Sequence, residues 1–297
     1  MQHAQMTEKM ANGDGFIAAL DQSGGSTPKA LRGYGIEESA YSNDDEMFAL
    51  IHAMRSRIIT APSFNGDKVV GAILFERTMN GNADGKPVPQ ILHDRGVVPF
   101  LKIDKGLEDE SDGVQMMKPM PGLDELLAHA KELGIFGTKE RSVVHAASKS
   151  GIAAIVRQQF EVGMQVVRAG LMPILEPEVS LKSPDRDAAE KILLEEIRAQ
   201  LDALPDGTQV MLKLTIPATP DLYKPLVDHP AVLRVVALSG GYSRDEACDH
   251  LKQNHGMIAS FSRALLEDLR AQMSDEEFDA ALASAIDQIY QASTQKS

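Results

Sequence analysis

Short apolar runs recur along the chain, separated by amphipathic stretches. The runs are GFIAAL (15–20), VVGAILF (69–75), VVPFLKI (97–103), RSVVHA (141–146), LMPILEP (171–177), QVMLKLT (209–215), VLRVVALS (232–239) and GMIASFS (256–262). Between them, over 44–58, 122–133, 151–170 and 187–204, apolar residues return at three- and four-residue intervals. That spacing is the mark of a helix with one buried face. Further helices are expected at 243–254 and 263–273. A last one, at 274–293, opens with Ser274 and has Glu277 three residues on, the pairing of a capping box. Strand alternating with helix implies parallel strands, and eight such units predict an α/β fold of the (β/α)8 TIM-barrel type. No linker, repeat or low-complexity tract divides the chain. The expectation is a single barrel domain over 1–297 with a C-terminal helical extension at about 274–292. The polar stretch 22–45 reads as an extended first βα loop, which a barrel places at its catalytic face.

Composition narrows the function classes. A length of 297 residues suits one α/β barrel. A net charge of −13 argues against nucleic acid or an anionic membrane as partner. The single cysteine, Cys248, cannot form an intramolecular disulfide and fits a reducing compartment. Its place in a helical stretch reads as a structural thiol. Residues 1–15 hold no apolar signal core, and no run is long enough to span a bilayer, so a cytoplasmic protein is expected. The histidines show neither HxH nor HExxH spacing, and neither a Walker A motif nor GxGxxG after the first strand is present. No metal and no other cofactor is expected.

One residue breaks the apolar pattern. In VMLKLTIP (210–217), Lys213 stands where a buried strand should be apolar. An edge strand with a snorkelling lysine is the plain alternative. Other runs break in the same way. The first leads into Asp21, the third ends with Lys102 and Asp104 on one face, and the fifth with Glu176 and Glu178. Lys139 and Arg141 flank the start of the fourth. A parallel sheet is covered on both faces, so solvent cannot absorb these charges. They form either an ion network in the upper layer of the barrel or a catalytic site at the strand ends. The chemistry that needs a lysine there is imine formation. An amine whose pKa is lowered by desolvation and by neighbouring cations, with Lys139, Lys102 and Arg141 as candidates, attacks a carbonyl. The iminium then accepts electrons from a breaking carbon–carbon bond, while Glu176 or Glu178 moves protons.

An anion site is expected nearby. The seventh run ends LSGGYS, where Gly240 and Gly241 allow close backbone approach, and it opens into a helix whose N–H groups attract anions. Arg263 follows the eighth run. Barrels frequently hold phosphate at these two loops. A second anion could meet Ser23, Ser26 and Lys29 in DQSGGSTPK.

Taken in order, ALDQSGGSTPK, ILFERTMN, DGKPVPQIL, LKIDKG, TKER, PILEPE, LKLTIP, LSGGYS and SFSRAL resemble class I fructose-bisphosphate aldolase, in the shorter form known from bacteria. The resemblance covers about residues 15 to 265. It implies metal-free, reversible cleavage of fructose 1,6-bisphosphate to dihydroxyacetone phosphate and glyceraldehyde 3-phosphate. Lys213 would then be the Schiff-base lysine and Glu176 the carboxylate that dehydrates the carbinolamine. Asp21 would deprotonate the hydroxyl, with Lys139 beside the Schiff base and Lys102 a further site lysine. Arg141, Glu178, Ser23 and Ser26 match site residues, and Ser239, Gly240 and Arg263 match a phosphate site. The runner-up readings are another Schiff-base aldolase or transaldolase on a different phosphosugar, and an aldolase-like binding protein. Three features depart from animal members. Lys29-Ala30 replaces Lys-Arg, TQVMLKLTIP keeps mainly the Leu-Lys core, and the chain ends TQKS where animal members end in a tyrosine that assists protonation of the enamine.

Overall fold

Eight parallel strands lie side by side in the order of the chain: Phe16–Leu20, Val69–Leu74, Val98–Lys102, Gly137–Val144, Met172–Val179, Val210–Thr215, Val232–Leu238 and Met257–Ala259. They are called strands one to eight below. The computed structural model describes residues 1–297. Strand one meets strand eight through the Ala19 N–H, which donates to the Phe261 carbonyl at 3.1 Å, so the barrel is nearly closed.

Two-residue alternation sorts each strand into an inner and an outer face. Outward residues such as Leu20, Leu101, Leu175 and Leu212 pack against the surrounding helices in one large core. Inward residues Phe100, Ile174, Met211, Val236 and Ile258 fill the lower barrel in a second, smaller core. Met6 and Met10 join that inner core from helix His3–Asn12, which closes the N-terminal end of the barrel. One step up each strand the inner face turns polar and carries Asp21, Lys139, Glu176 and Lys213.

The observed elements refine the expected ones. Strand four begins at Gly137, so Lys139 and Arg141 lie inside it rather than before it. The first βα segment is not a plain extended loop: it carries helix Ser26–Gly33 and a turn at Glu38–Ala40. Strands six and seven are joined without a full helix, through the single turn Lys224–Val227. The helix expected at 263–273 stops at Leu266. Tertiary hydrogen bonds claim its continuation. The Ala271 N–H donates to the Tyr34 carbonyl, and Arg57 takes the carbonyls of Ala271 and Met273. The last helix runs Asp275–Thr294 with its capping box formed by Ser274 and Glu277. Cys248 is buried, and burial pushes its thiol up to about 11, as suits an unreactive core residue. No helix is long and apolar enough to cross a membrane.

Candidate active site

Lys213 sits on the inner face of strand six, directly above Met211, and only 4% of it is exposed. Its ammonium lies 3.2 Å from Glu176 Oε1 on the neighbouring strand five. The other Glu176 oxygen lies 2.9 Å from Lys139 Nζ on strand four, and Lys139 reaches Asp21 Oδ2 on the far side at 2.7 Å. Four buried charges from strands one, four, five and six thus form one alternating chain: Asp21, Lys139, Glu176, Lys213.

Electrostatics follow from that alternation. Burial opposes the charge on Lys139, but Asp21, Glu176 and Asp104 outweigh it and hold the ammonium well above its ordinary range. Burial would raise Asp21, yet Lys139 and Lys213 overcome it and leave the carboxyl well below the usual range. Glu176 is likewise lowered, because Lys139 and Lys213 outweigh its burial. Its Oε2 accepts no well-directed hydrogen bond, so the 2.9 Å contact with Lys139 is an ion pair with a lone pair to spare.

Lys102 and Asp104 do share a face. Lys102 Nζ donates to the Asp104 carboxylate at 2.6 Å and to its carbonyl at 2.7 Å. Burial lowers Lys102, and Asp104 only partly compensates. Glu178 shares the inner face with Glu176, as alternation implies, but it is not the one nearer the lysines, where it is expected to orient them. Its partner is Arg141 Nε at 2.5 Å, and the lysines belong to Glu176 instead. The reason is height: Glu178 stands two residues further up strand five, above the lysine layer and partly in solvent.

These residues line one cavity of about 950 Å³ at the C-terminal ends of the strands, together with Ser23, Ser26, Lys29, Ser239, Gly240 and Arg263. Gly241 lies just behind, where an added Cβ would stand 3.6 Å from Arg263 Nη2. Gly240 and Gly241 both have positive φ, and a Cβ at Gly240 would press on Leu181 at 2.9 Å, so this tight loop requires glycine. The N-terminus of the following helix is not free for an anion, contrary to expectation. Ser243 and Glu246 cap each other, and the Arg244 N–H donates to Glu267. The N–H groups of Gly240 and Gly241, by contrast, donate to no group of the protein. In the first loop, Ser26 Oγ accepts the Ser23 N–H at 3.0 Å and donates to the Ser23 carbonyl, while Lys29 is exposed. No group of three His, Cys, Asp or Glu side chains is arranged to hold a metal ion.

A family model described as class-I fructose-bisphosphate aldolase, glycolytic, matches residues 3–216. The chain belongs to the class I fructose-bisphosphate aldolase family. The match spans strands one to six, and with them Asp21, Lys139, Glu176 and Lys213; the loops after strands seven and eight lie beyond it. Among solved structures, fructose-bisphosphate aldolase from Plasmodium falciparum, crystallised with TRAP and a small-molecule inhibitor, has the same fold. The TM-score is 0.83 at 20% identity, covering 99% of this chain and 95% of that one. A sugar phosphate isomerase/epimerase from Parabacteroides distasonis is more distant, with a TM-score of 0.47 at 12% identity, over 95% of this chain and 96% of that one.

For an aldolase-family barrel, three residues at this site escaped the sequence reading. Ser260 is buried in the cavity wall and its hydroxyl has no partner; alternation from inward-facing Ile258 marks it. Gln22 donates to Ser262 Oγ across the barrel seam. Arg55 is fully buried without an ion pair. It holds the Gln22 carbonyl and side chain and Thr78 Oγ1, and burial lowers it to about 10 against the pull of Asp21. Its signal is an arginine on the apolar stripe of its helix, between Ile51 and Ile58. Tyr290 does not stand in for the family's terminal tyrosine. It lies beside Lys68, just before strand two, at the opposite end of the barrel from the cavity.

Proposed function

We propose that this chain cleaves fructose 1,6-bisphosphate reversibly to dihydroxyacetone phosphate and glyceraldehyde 3-phosphate through an imine on Lys213, with no metal ion. The observation that carries this reading is the buried Lys213 amine 3.2 Å from a carboxylate that is itself held by a second lysine. In this reading Lys213 first passes a proton to Glu176, and the neutral amine attacks the substrate C2 carbonyl. Glu176 delivers a proton to the carbinolamine hydroxyl, which leaves as water, and the iminium remains. Asp21 takes the proton of the C4 hydroxyl as the C3–C4 bond breaks. The electron pair passes into the iminium and gives an enamine, and the aldehyde product departs. Protonation at C3 and hydrolysis release dihydroxyacetone phosphate and restore the amine. Lys139 keeps both carboxylates ionised between steps, as its contacts with Asp21 and Glu176 allow. Glu178 acts through Arg141, which it orients, and Lys102 lines the cavity as a further cation. Ser239, the Gly240 and Gly241 N–H groups and Arg263 are assigned to one phosphate, and Ser23, Ser26 and Lys29 to the other.

A coupled assay for triose phosphate release from fructose 1,6-bisphosphate tests the reading. Turnover is expected to survive prolonged EDTA treatment and to vanish in Lys213→Met with the fold intact by circular dichroism. Activity lost to EDTA and restored by a divalent ion, or turnover by Lys213→Met, overturns it.

A further inference from the structure

The sixth and seventh strands part company just above Lys213. Their pairing runs Val236 with Lys213 and Ala237 with Leu214, and ends at Leu238 with Thr215. Beyond that point the chain after strand six (Ile216 to Ala218) and the loop after strand seven (Ser239 to Tyr242) have no ladder between them. Arg186, the first residue of helix Arg186–Asp202, spans the gap from outside the cavity. Its Nη2 donates to the Ile216 carbonyl and its Nη1 to the Tyr242 hydroxyl at 3.0 Å. Its Nε meets Glu190 Oε1 at 2.7 Å, and the other Glu190 oxygen accepts the Ala218 N–H at 2.8 Å. The Tyr242 N–H in turn donates to the Ser239 carbonyl at 3.0 Å. An ordinary i,i+4 pair on a helix surface would be solvated, but the Glu190 side chain is 0% exposed and that of Arg186 only 14%. A planar, rigid fork is the group suited to hold the Ile216 carbonyl and the Tyr242 hydroxyl at a set distance.

We infer that Arg186 is a positioning residue that sets the distance between the Lys213 amine and the loop carrying Ser239, Gly240 and Gly241, and so selects substrates whose carbonyl carbon adjoins a phosphate-bearing carbon. This rests on the reading of Lys213 as imine-forming and of that loop as phosphate-binding. A phosphate anchored on a correctly placed loop fixes the carbonyl within reach of the amine. A displacement of about 1 Å can cost roughly a hundredfold in rate. A substrate without the phosphate is not held by the loop and gains nothing from the strut.

Single-turnover borohydride trapping, with dihydroxyacetone phosphate and with dihydroxyacetone, tests this. Arg186→Gln is expected to slow trapping of the phosphorylated ketone by about ten- to a hundredfold and to leave dihydroxyacetone within about twofold of the parent protein. Tyr242→Phe removes only the loop end of the strut and should act in the same direction, less strongly; it also serves if Arg186→Gln does not fold. Arg186→Lys keeps the charge but cannot span both partners, and should stay slow on the phosphorylated ketone alone. Equal losses on both ketones, or no loss on either, overturn the inference and leave Arg186 a structural residue. The underlying reading fails separately, and the inference with it, if the parent protein traps neither ketone or traps both at the same rate.

Discussion

Most buried charges in this barrel stand beside charges of opposite sign; Arg55 is met by neutral groups instead, and Glu140 by none. It alternates with Lys139 and Arg141 on strand four and therefore points out of the barrel, where it is fully buried with neither oxygen partnered. Burial first, and then Asp104, push its carboxyl well above the ordinary value. The folded state thus keeps a proton that the unfolded chain releases above about pH 4.3, and stability falls as pH rises through that window. The slope is about 1.4 kcal/mol per pH unit. Glu140→Gln lacks the slope. Its urea midpoint should gain on the parent protein as pH rises above about 4.3, and parallel profiles would contradict this. A second residue-scale contrast concerns strand five. Glu176→Gln should slow imine formation about 10²–10⁴-fold, the usual worth of a general acid–base group. Glu178→Gln frees Arg141 but leaves both lysines with their partner, and should retain most of that step. Single-turnover trapping on the two variants separates them, and the reverse order would exchange the roles of the two residues.

At the scale of elements, the anion loop and the helix after it divide the work. Because Ser243 and Glu246 occupy the first turn of helix Arg244–Lys252, the proposed phosphate contact is assigned to the Gly240 and Gly241 N–H groups, which donate to no group of the protein. Ser243→Ala should then cost about 1 kcal/mol of stability, the usual worth of such a cap, and leave KM for phosphorylated substrates unchanged. A tenfold rise in KM would return the helix terminus to the anion site. The strands were readable in the sequence because parallel strands buried on both faces are continuous apolar runs. The charged interruptions in those runs marked the candidate site for the same reason, since they converge on one cavity. Helix His3–Asn12 went unread because it buries only Met6 and Met10, too short a stripe to stand out from its polar neighbours. Residues 267–273 carry a helical pattern but spend their hydrogen bonds on Tyr34 and Arg57, which no local signal records. Height on a strand was equally hidden. Alternation put Glu176 and Glu178 on one face, but which of them meets the lysines depends on the register between strands four, five and six.

For the whole molecule, the balance of charge differs from that of the cavity. The chain carries −13, yet the cavity lining sets Lys29, Lys102, Lys105, Lys139, Arg141, Lys213 and Arg263 against Asp21, Glu76, Asp104, Glu176, Glu178 and Glu267. Nearly balanced charges in the cavity of a strongly acidic chain leave it the least repulsive part of the surface for an anion. The same barrel buries a hydrophobic layer beneath the charges, with helix His3–Asn12 closing the far end, and Lys213 lines the cavity above that layer. The central claim is that Lys213, and no other of these lysines, forms the covalent bond to substrate. Borohydride reduction in the presence of dihydroxyacetone phosphate, followed by peptide mapping, addresses it directly. The expected result is a reduced three-carbon phosphate adduct on the peptide containing Lys213. An adduct on Lys139 or Lys102 with Lys213 unmodified would contradict it.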